Sequence, residues 1–200
     1  AIMWKKFKQW YNKKFNNKDE HLREIYLDIK NHDVEIAGTD YFLARAMIPD
    51  IPEILGIERA VYGGKTPWDE RAFRSELMRQ KDRLYLVVRR NDYLVAFIGC
   101  SFNSHTKDCH ITNVGVAPNF QNHGIGYFLV NTIIKKARQM QYNQVTLEVR
   151  LSNKRAQKLY RDIGFVNDGI KPDYYYNDKE DALNMKLDIT KIGNQREEMA

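Results

Sequence analysis

The sequence has two cysteines, Cys100 and Cys109, too few for a disulfide framework and without the flanking ligands of a metal motif. Buried, reduced thiols are expected, since a free Cys packs as a small hydrophobe. The histidines His21, His32, His105 and His110 show no metal spacing, so no metal site is expected. No apolar run approaches the roughly 20 residues of a membrane-spanning helix. The first residues also lack the apolar core of a secretory signal, so a soluble cytoplasmic chain is expected. Internal repeats and low-complexity tracts are absent.

Positive charge is in modest excess: 32 Lys and Arg against 26 Asp and Glu give a formal net charge of +6 over 200 residues. The excess is uneven. The opening WKKFKQWYNKKFNNK is rich in lysine, carries no acid, and repeats Trp4, Phe7, Trp10, Tyr11 and Phe15 near helical spacing. Residues 1–37 read as a basic, helical extension, with Gly38 as the break before a domain spanning 38–192 and a tail of 193–200. Such a segment could contact RNA or an anionic surface, or dock its aromatic face on its own domain. No stable nucleic-acid or membrane partner is expected from charge alone.

Within the domain the hydrophobic period changes along the chain. A short strand near Phe42 is followed by a helix entered at Ile51 with Pro52 in its first turn, then a second helix, ERAFRSELMRQ. Leu84–Arg89 and Tyr93–Phe102 read as a hairpin turning at Asn91-Asp92, and Cys109–Val116 as the next strand. A helix from Gly124 to Gln141, a strand from Gln144 to Arg150 and a helix from Asn153 to Ile163 follow, then two closing strands. The centre is a β-α-β unit, which demands a parallel strand pair, whereas the flanks read as antiparallel. A mixed α/β sheet flanked by helices is the expected class.

Between the strand ITNVGVAP and the helix YFLVNTIIKKARQM lies QNHGIG, Gln121 to Gly126. A helix start offers unpaired N–H groups and a partial positive charge, and glycines let an anion approach the backbone. A phosphate cradle fits, although many glycine turns of this kind bind nothing. It is not a P-loop, because no Gly-Lys-Ser/Thr follows, nor G-x-G-x-x-G, because residue 129 is leucine.

Several blocks together resemble the GNAT superfamily of N-acetyltransferases. Gln121-x-x-Gly124-x-Gly126 resembles its [QR]-x-x-G-x-[GA] pyrophosphate loop. LEVRLSNKRAQKLYRDIGF is similar to the L-E-V-R-x-S-N-x-x-A-x-x-L-Y-x-x-x-G-F block of the bacterial ribosomal-protein-alanine branch, the RimI-like enzymes. Pro67-Trp68 followed by Phe73, Tyr174-Tyr175, and Glu180-Asp181-Ala182 resemble further features of that branch. The likeness covers about residues 38 to 189. It departs from the branch in two places: Asn122-His123 replaces a frequently basic pair, and Lys171-Pro172 stands where arginines are common.

The resemblance implies transfer of an acetyl group from acetyl-CoA to an amine, which is acyltransferase chemistry. The turn from Asn122 through His123, Gly124, Ile125 and Gly126 to Tyr127 would hold the pyrophosphate by its backbone. Val114, Gly115 and Val116 would pair with the pantetheine arm, one of their amides polarising the thioester carbonyl. Asn153 would contact the cofactor, and its spacing also suits a helix cap. Along QVTLEVR, Val145, Leu147 and Val149 share one face and Thr146, Glu148 and Arg150 the other, so Glu148 is either paired with Arg150 or chemically active. The resemblance makes Glu148 the general base and Tyr160, by position a core tyrosine, the acid for the leaving thiolate. Trp68, Tyr174, Tyr175 and Glu180 would border the acceptor, with Glu180 receiving a cationic substrate residue or the aromatics simply packing.

An α-amine, with a reference pKa near 7.7–8.0 against about 10.4 for lysine, is the easier acceptor to deprotonate. The favoured expectation is N-α-acetylation of a protein N-terminus, namely the alanine of a small-subunit ribosomal protein. An acetyltransferase of small amines and a non-catalytic ribosome- or RNA-binding module are the alternatives.

Overall fold

The structure is a computed structural model that describes residue 27 and residues 29–190. The aromatic-basic segment from Trp4 to Phe15 and the tail 193–200 lie outside the described residues. The described part holds eight strands and four α-helices: β1 (His32–Ile36), β2 (Thr39–Arg45), α1 (Ile51–Val61), α2 (Glu70–Met78), β3 (Arg83–Arg90), β4 (Tyr93–Asn103), β5 (Asp108–Val116), α3 (Ile125–Gln139), β6 (Gln144–Arg150), α4 (Lys154–Ile163), β7 (Val166–Lys171) and β8 (Ala182–Asp188). Short 3-10 turns, Ile48–Asp50 and Pro118–Phe120, lead toward α1 and α3.

One mixed sheet runs in the order β1-β2-β3-β4-β5-β6-β8-β7. Its one parallel pair is β5 with β6, joined by the α3 crossover, as the β-α-β pattern requires. The β3–β4 hairpin turns on Asn91 and Asp92, both left-handed at φ 48° and 68°, the conformation a two-residue hairpin prefers.

The same device corrects the reading of the N-terminal boundary. Ala37 (φ 49°) and Gly38 (φ 79°) form a hairpin turn between β1 and β2, so Gly38 does not separate an extension from the sheet. Residues 32–36, read as part of a helical extension, form an edge strand. The strand HDVEI is short and polar and buries only Ile36, as an edge strand can.

Helices cover both faces. The α3 and α4 side packs Ile125, Leu129, Ile133, Leu147 and Tyr160 into the larger core. The α1 and α2 side packs Ile51, Ile54, Ile57 and Phe73 against Tyr85, Val87 and Phe97. The alternation along β6 sends Val145, Leu147 and Val149 into the first core and leaves Thr146, Glu148 and Arg150 half-buried on the second face.

The parallel pairing is short. It covers Asp108–Ile111 against Gln144–Leu147 and then stops, although β5 continues to Val116 and β6 to Arg150. The irregularity opposite Gly99 and Cys100 leaves Thr112 as an extra residue in β5, and a bulge bends its strand. Beyond Thr112 the two strands part, and β6 keeps only β8 as neighbour. This parting opens the sheet between the two helical layers.

Candidate active site

At the mouth of the opening the start of α3 leaves backbone N–H groups free. Asn122 (φ 63°) and Gly124 (φ 82°) turn the chain sharply out of the 3-10 turn, and Gly124 begins α3 without any side-chain cap. The first bond of the helix runs from the Phe128 N–H to the Gly124 carbonyl at 2.9 Å, which leaves the N–H groups of Ile125, Gly126 and Tyr127 without intrahelical acceptors. A Cβ at Gly126 would meet no atom nearer than Leu159 Cδ2 at 3.5 Å, so the fold itself tolerates a side chain there. His123 is exposed and faces no described partner.

Gly115 differs. A Cβ at this position would lie 2.6 Å from the Phe97 ring and 3.1 Å from Ile57, so the close approach expected there is made by the core. The backbone of Val114, Gly115 and Val116 nonetheless lies beyond the last β6 partner, on the open edge of β5. An extended arm can pair with that edge as a further strand would. These features fit a pyrophosphate with an extended tail. The residues that would hold it are the 122–127 turn and the 114–116 edge.

Glu148 stands where the strands part, but its partners are not those its spacing suggested. Arg150 binds Asp178 and Glu180, each at 2.8 Å, and its guanidinium stacks 3.9 Å from the Tyr175 ring centroid. Glu148 instead meets His110 Nε2 at 2.8 Å and Lys171 Nζ at 2.5 Å. His110 Nδ1 is 2.8 Å from Thr146 Oγ1, and the Thr146 hydroxyl reaches Asp108 at 2.9 Å. A continuous chain Lys171–Glu148–His110–Thr146–Asp108 thus crosses β7, β6 and β5. Burial raises the Glu148 pKa, but the His110 and Lys171 hydrogen bonds and charges prevail and bring it to about 2.

Four phenols, of Tyr160, Tyr62, Tyr174 and Tyr175, close the other side. Tyr160 on α4 is buried, its ring edge-on to Phe165 at 5.7 Å. Burial, reinforced by the neighbouring Tyr62 and Tyr175, pushes its phenol up, so it stays protonated. Tyr62, Lys65 and Pro67 from the α1–α2 loop face Arg150, Asn177, Asp178 and Glu180 across a cleft of about 240 Å³. Tyr174 stands edge-on to Tyr175 at 5.1 Å, with Lys171 Nζ 5.4 Å above it. Trp68 packs on Phe73 at 5.5 Å, against the core of the α1 and α2 side.

Glu180 bonds Arg150 and the Ser152 N–H, both at 2.8 Å, which ties the β7–β8 loop to the end of β6. Asn153 caps α4 by accepting from the Ala156 N–H at 3.0 Å. The fold gathers Glu148, Tyr160, Tyr174 and Tyr175 near Tyr62 and Arg150, two residues of the cleft lining, and sets Asn153 at the first turn of α4. His110, Lys171 and Tyr62 belong to the same cluster and went unassigned in the sequence. The alternation Asp108-x-His110 was their one local trace, since both side chains face Thr146 across the parallel pair.

The sequence pattern of the Acetyltransferase (GNAT) family matches residues 48–165. The chain is 33% identical over 134 residues to the N-alpha-acetyltransferase RimI of Mycobacterium tuberculosis, covering 66% of this chain and 82% of that one. It is 30% identical over 144 residues to the ribosomal protein bS18-alanine N-acetyltransferase of Escherichia coli, covering 70% and 93%. The crystal structure of the ribosomal-protein-S18-alanine N-acetyltransferase from Escherichia coli superposes with a TM-score of 0.67 at 27% identity, over 78% of this chain and 97% of that chain.

Proposed function

This chain belongs to the Acetyltransferase (GNAT) family and is an N-acetyltransferase of the ribosomal-protein-alanine type, and from that premise we propose that it acetylates a protein N-terminus, the alanine of a small-subunit ribosomal protein in the cytoplasm. The family uses acetyl-CoA, which when bound supplies the acetyl thioester. The observation that carries the reading is the Glu148–His110–Lys171 cluster at the parting of β5 and β6, one same-face position along β6 from Arg150 of the cleft lining.

In this reading the 122–127 turn holds the pyrophosphate and the 114–116 edge the pantetheine arm. The acceptor ammonium enters between the 62–68 loop and the 172–181 loop and takes the place of Lys171 on Glu148. Its proton leaves into the Glu148–His110 pair. An amide of the β5 edge polarises the thioester carbonyl, and the Tyr160 hydroxyl donates to the departing sulfur. Glu180 holds the loop through Arg150 and Ser152, so acceptor recognition falls to Tyr174, Tyr175 and the loop containing Trp68.

The catalytic domain is proposed to begin at β1, with the basic segment upstream of residue 27 meeting an anionic surface such as ribosomal RNA.

Incubating unacetylated small-subunit ribosomal proteins with this protein and acetyl-CoA, then mapping products by mass spectrometry, tests the reading. One acetyl on the α-amine of an alanine-started protein is expected. Transfer only to small amines or lysine side chains overturns it. Lys171→Met separates binding from chemistry: losing the ammonium that competes for Glu148 lowers KM for the acceptor several-fold, with kcat maintained. An unchanged KM counts against displacement of Lys171.

A further inference from the structure

The loop that would take the cofactor's phosphates carries no strong cation, since Gln121 opens it and Asn122 and His123 fill its variable positions. Backbone N–H groups and a helix start supply only partial charge to a polyanion. We infer that Arg155 of α4 supplies the missing cation by binding a phosphate of coenzyme A; this rests on the acetyl-CoA-dependent reading above. Arg155 falls in a variable slot of the S-N-x-x-A run, so the motif does not assign it.

The placement is specific. Leu159 of α4 lies against Gly126 in the first turn of α3, and Arg155 is one helical turn before Leu159 on the same face. Arg155 Nη1 donates to Gln121 Oε1 at 2.7 Å, and Gln121 Nε2 donates to the Val116 carbonyl at 3.0 Å. The guanidinium is therefore fixed where the open edge of β5 meets the uncapped start of α3. Its other N–H donors have no partner among the described residues, and the side chain is exposed. The planar fork of an arginine suits two phosphate oxygens at once. Two of the other α4 cations are engaged elsewhere: Lys158 with Asp162 at 2.6 Å, Arg161 with Gln157 at 3.4 Å and Asn167 at 3.3 Å.

Calorimetric titration of coenzyme A and of 3′-dephospho-coenzyme A into the wild type, Arg155→Ala and Arg155→Lys, at low and high salt, tests the inference. Arg155→Ala should weaken coenzyme A binding by about 10- to 100-fold, the range for one charge-assisted contact. It should also flatten the salt dependence, and Arg155→Lys should restore part of both. A loss that persists with the dephospho form assigns the contact to the pyrophosphate, and a loss that vanishes assigns it to the 3′-phosphate. Either supports the inference. Equal affinity in wild type and Arg155→Ala overturns it, as does weaker binding with an undiminished salt slope, which is the mark of a loop held out of place. A wild type that binds no coenzyme A overturns the acetyl-CoA reading itself, and this inference with it.

Discussion

Replacing Glu148 with Gln should lower turnover by about 10²- to 10⁴-fold, the usual worth of a positioned proton acceptor, while acetyl-CoA affinity is unchanged. Glutamine keeps the size of the side chain and one acceptor oxygen. It removes the charge that His110 and Lys171 converge on at 2.8 and 2.5 Å. The amine's proton then has an imidazole without its anionic partner. His110→Ala should cost a comparable factor, and the double variant little more than either alone, because the pair acts as a unit. Tyr160→Phe should slow turnover through the other proton, leaving cofactor affinity intact. Steady-state rates with an alanine-started peptide, alongside calorimetric titration of acetyl-CoA, measure both quantities. An unchanged kcat in Glu148→Gln removes the residue from the chemistry.

The sign of the Glu148 shift adds a pH signature. Its pKa lies below the ordinary carboxylate value, so its stabilising contribution is present above about 4.5 and fades as pH falls toward about 2. The carboxylate is therefore ionised throughout the range in which an α-amine reacts. An acid limb of the rate profile between about pH 5 and 8 therefore does not report Glu148.

Much of this site could be read from the chain because its signals are local. The alternation along Gln144–Arg150 put Glu148 on the open face, and the glycine turn with its neighbouring blocks marked the end proposed for the cofactor. What escaped depends on register or on chain closure. Glu148 and Arg150 share a face two residues apart, yet β8 and its loop bring Asp178 and Glu180 to Arg150, while β5 and β7 bring His110 and Lys171 to Glu148. The register of β5 against β6 is a tertiary fact, so His110 looked like any polar strand residue. β1 was missed for an energetic reason: an edge strand with one buried side chain does not carry the apolar alternation that identifies a core strand. Glu58 was missed because a glutamate in mid-helix beside an arginine reads as solvated, and only the fold of the 62–68 loop covers it.

That coverage has a measurable consequence: Glu58→Gln should stabilise the protein at pH 8 and leave it unchanged near pH 4. Glu58 is 2% exposed, and its described hydrogen bond is a long one, accepted from the Trp68 N–H at 3.4 Å. Desolvation dominates and raises its pKa from 4.5 to about 7, against a smaller lowering by the Trp68 bond. Because the folded value is the higher one, stability is greatest below about 4.5 and falls as pH rises through about 7. Each tenfold in proton affinity is about 1.4 kcal/mol, so ionising Glu58 costs the folded state roughly 3 kcal/mol at pH 8, somewhat less where water reaches the carboxyl. Glutamine keeps an acceptor for Trp68 and never ionises. Urea unfolding of both proteins at pH 4 and pH 8 should therefore give curves that coincide at the lower pH and separate by about 2–3 kcal/mol at the higher. Coincidence at both would mean that the carboxyl is hydrated in the folded state. The glutamate accepts from the backbone of Trp68 and lies one turn before Tyr62, which caps the end of its helix, so in the proposed reading its ionisation acts where the peptide would bind. A rise in acceptor KM between pH 6 and 8 that is absent in Glu58→Gln would tie the stability cost to acceptor binding.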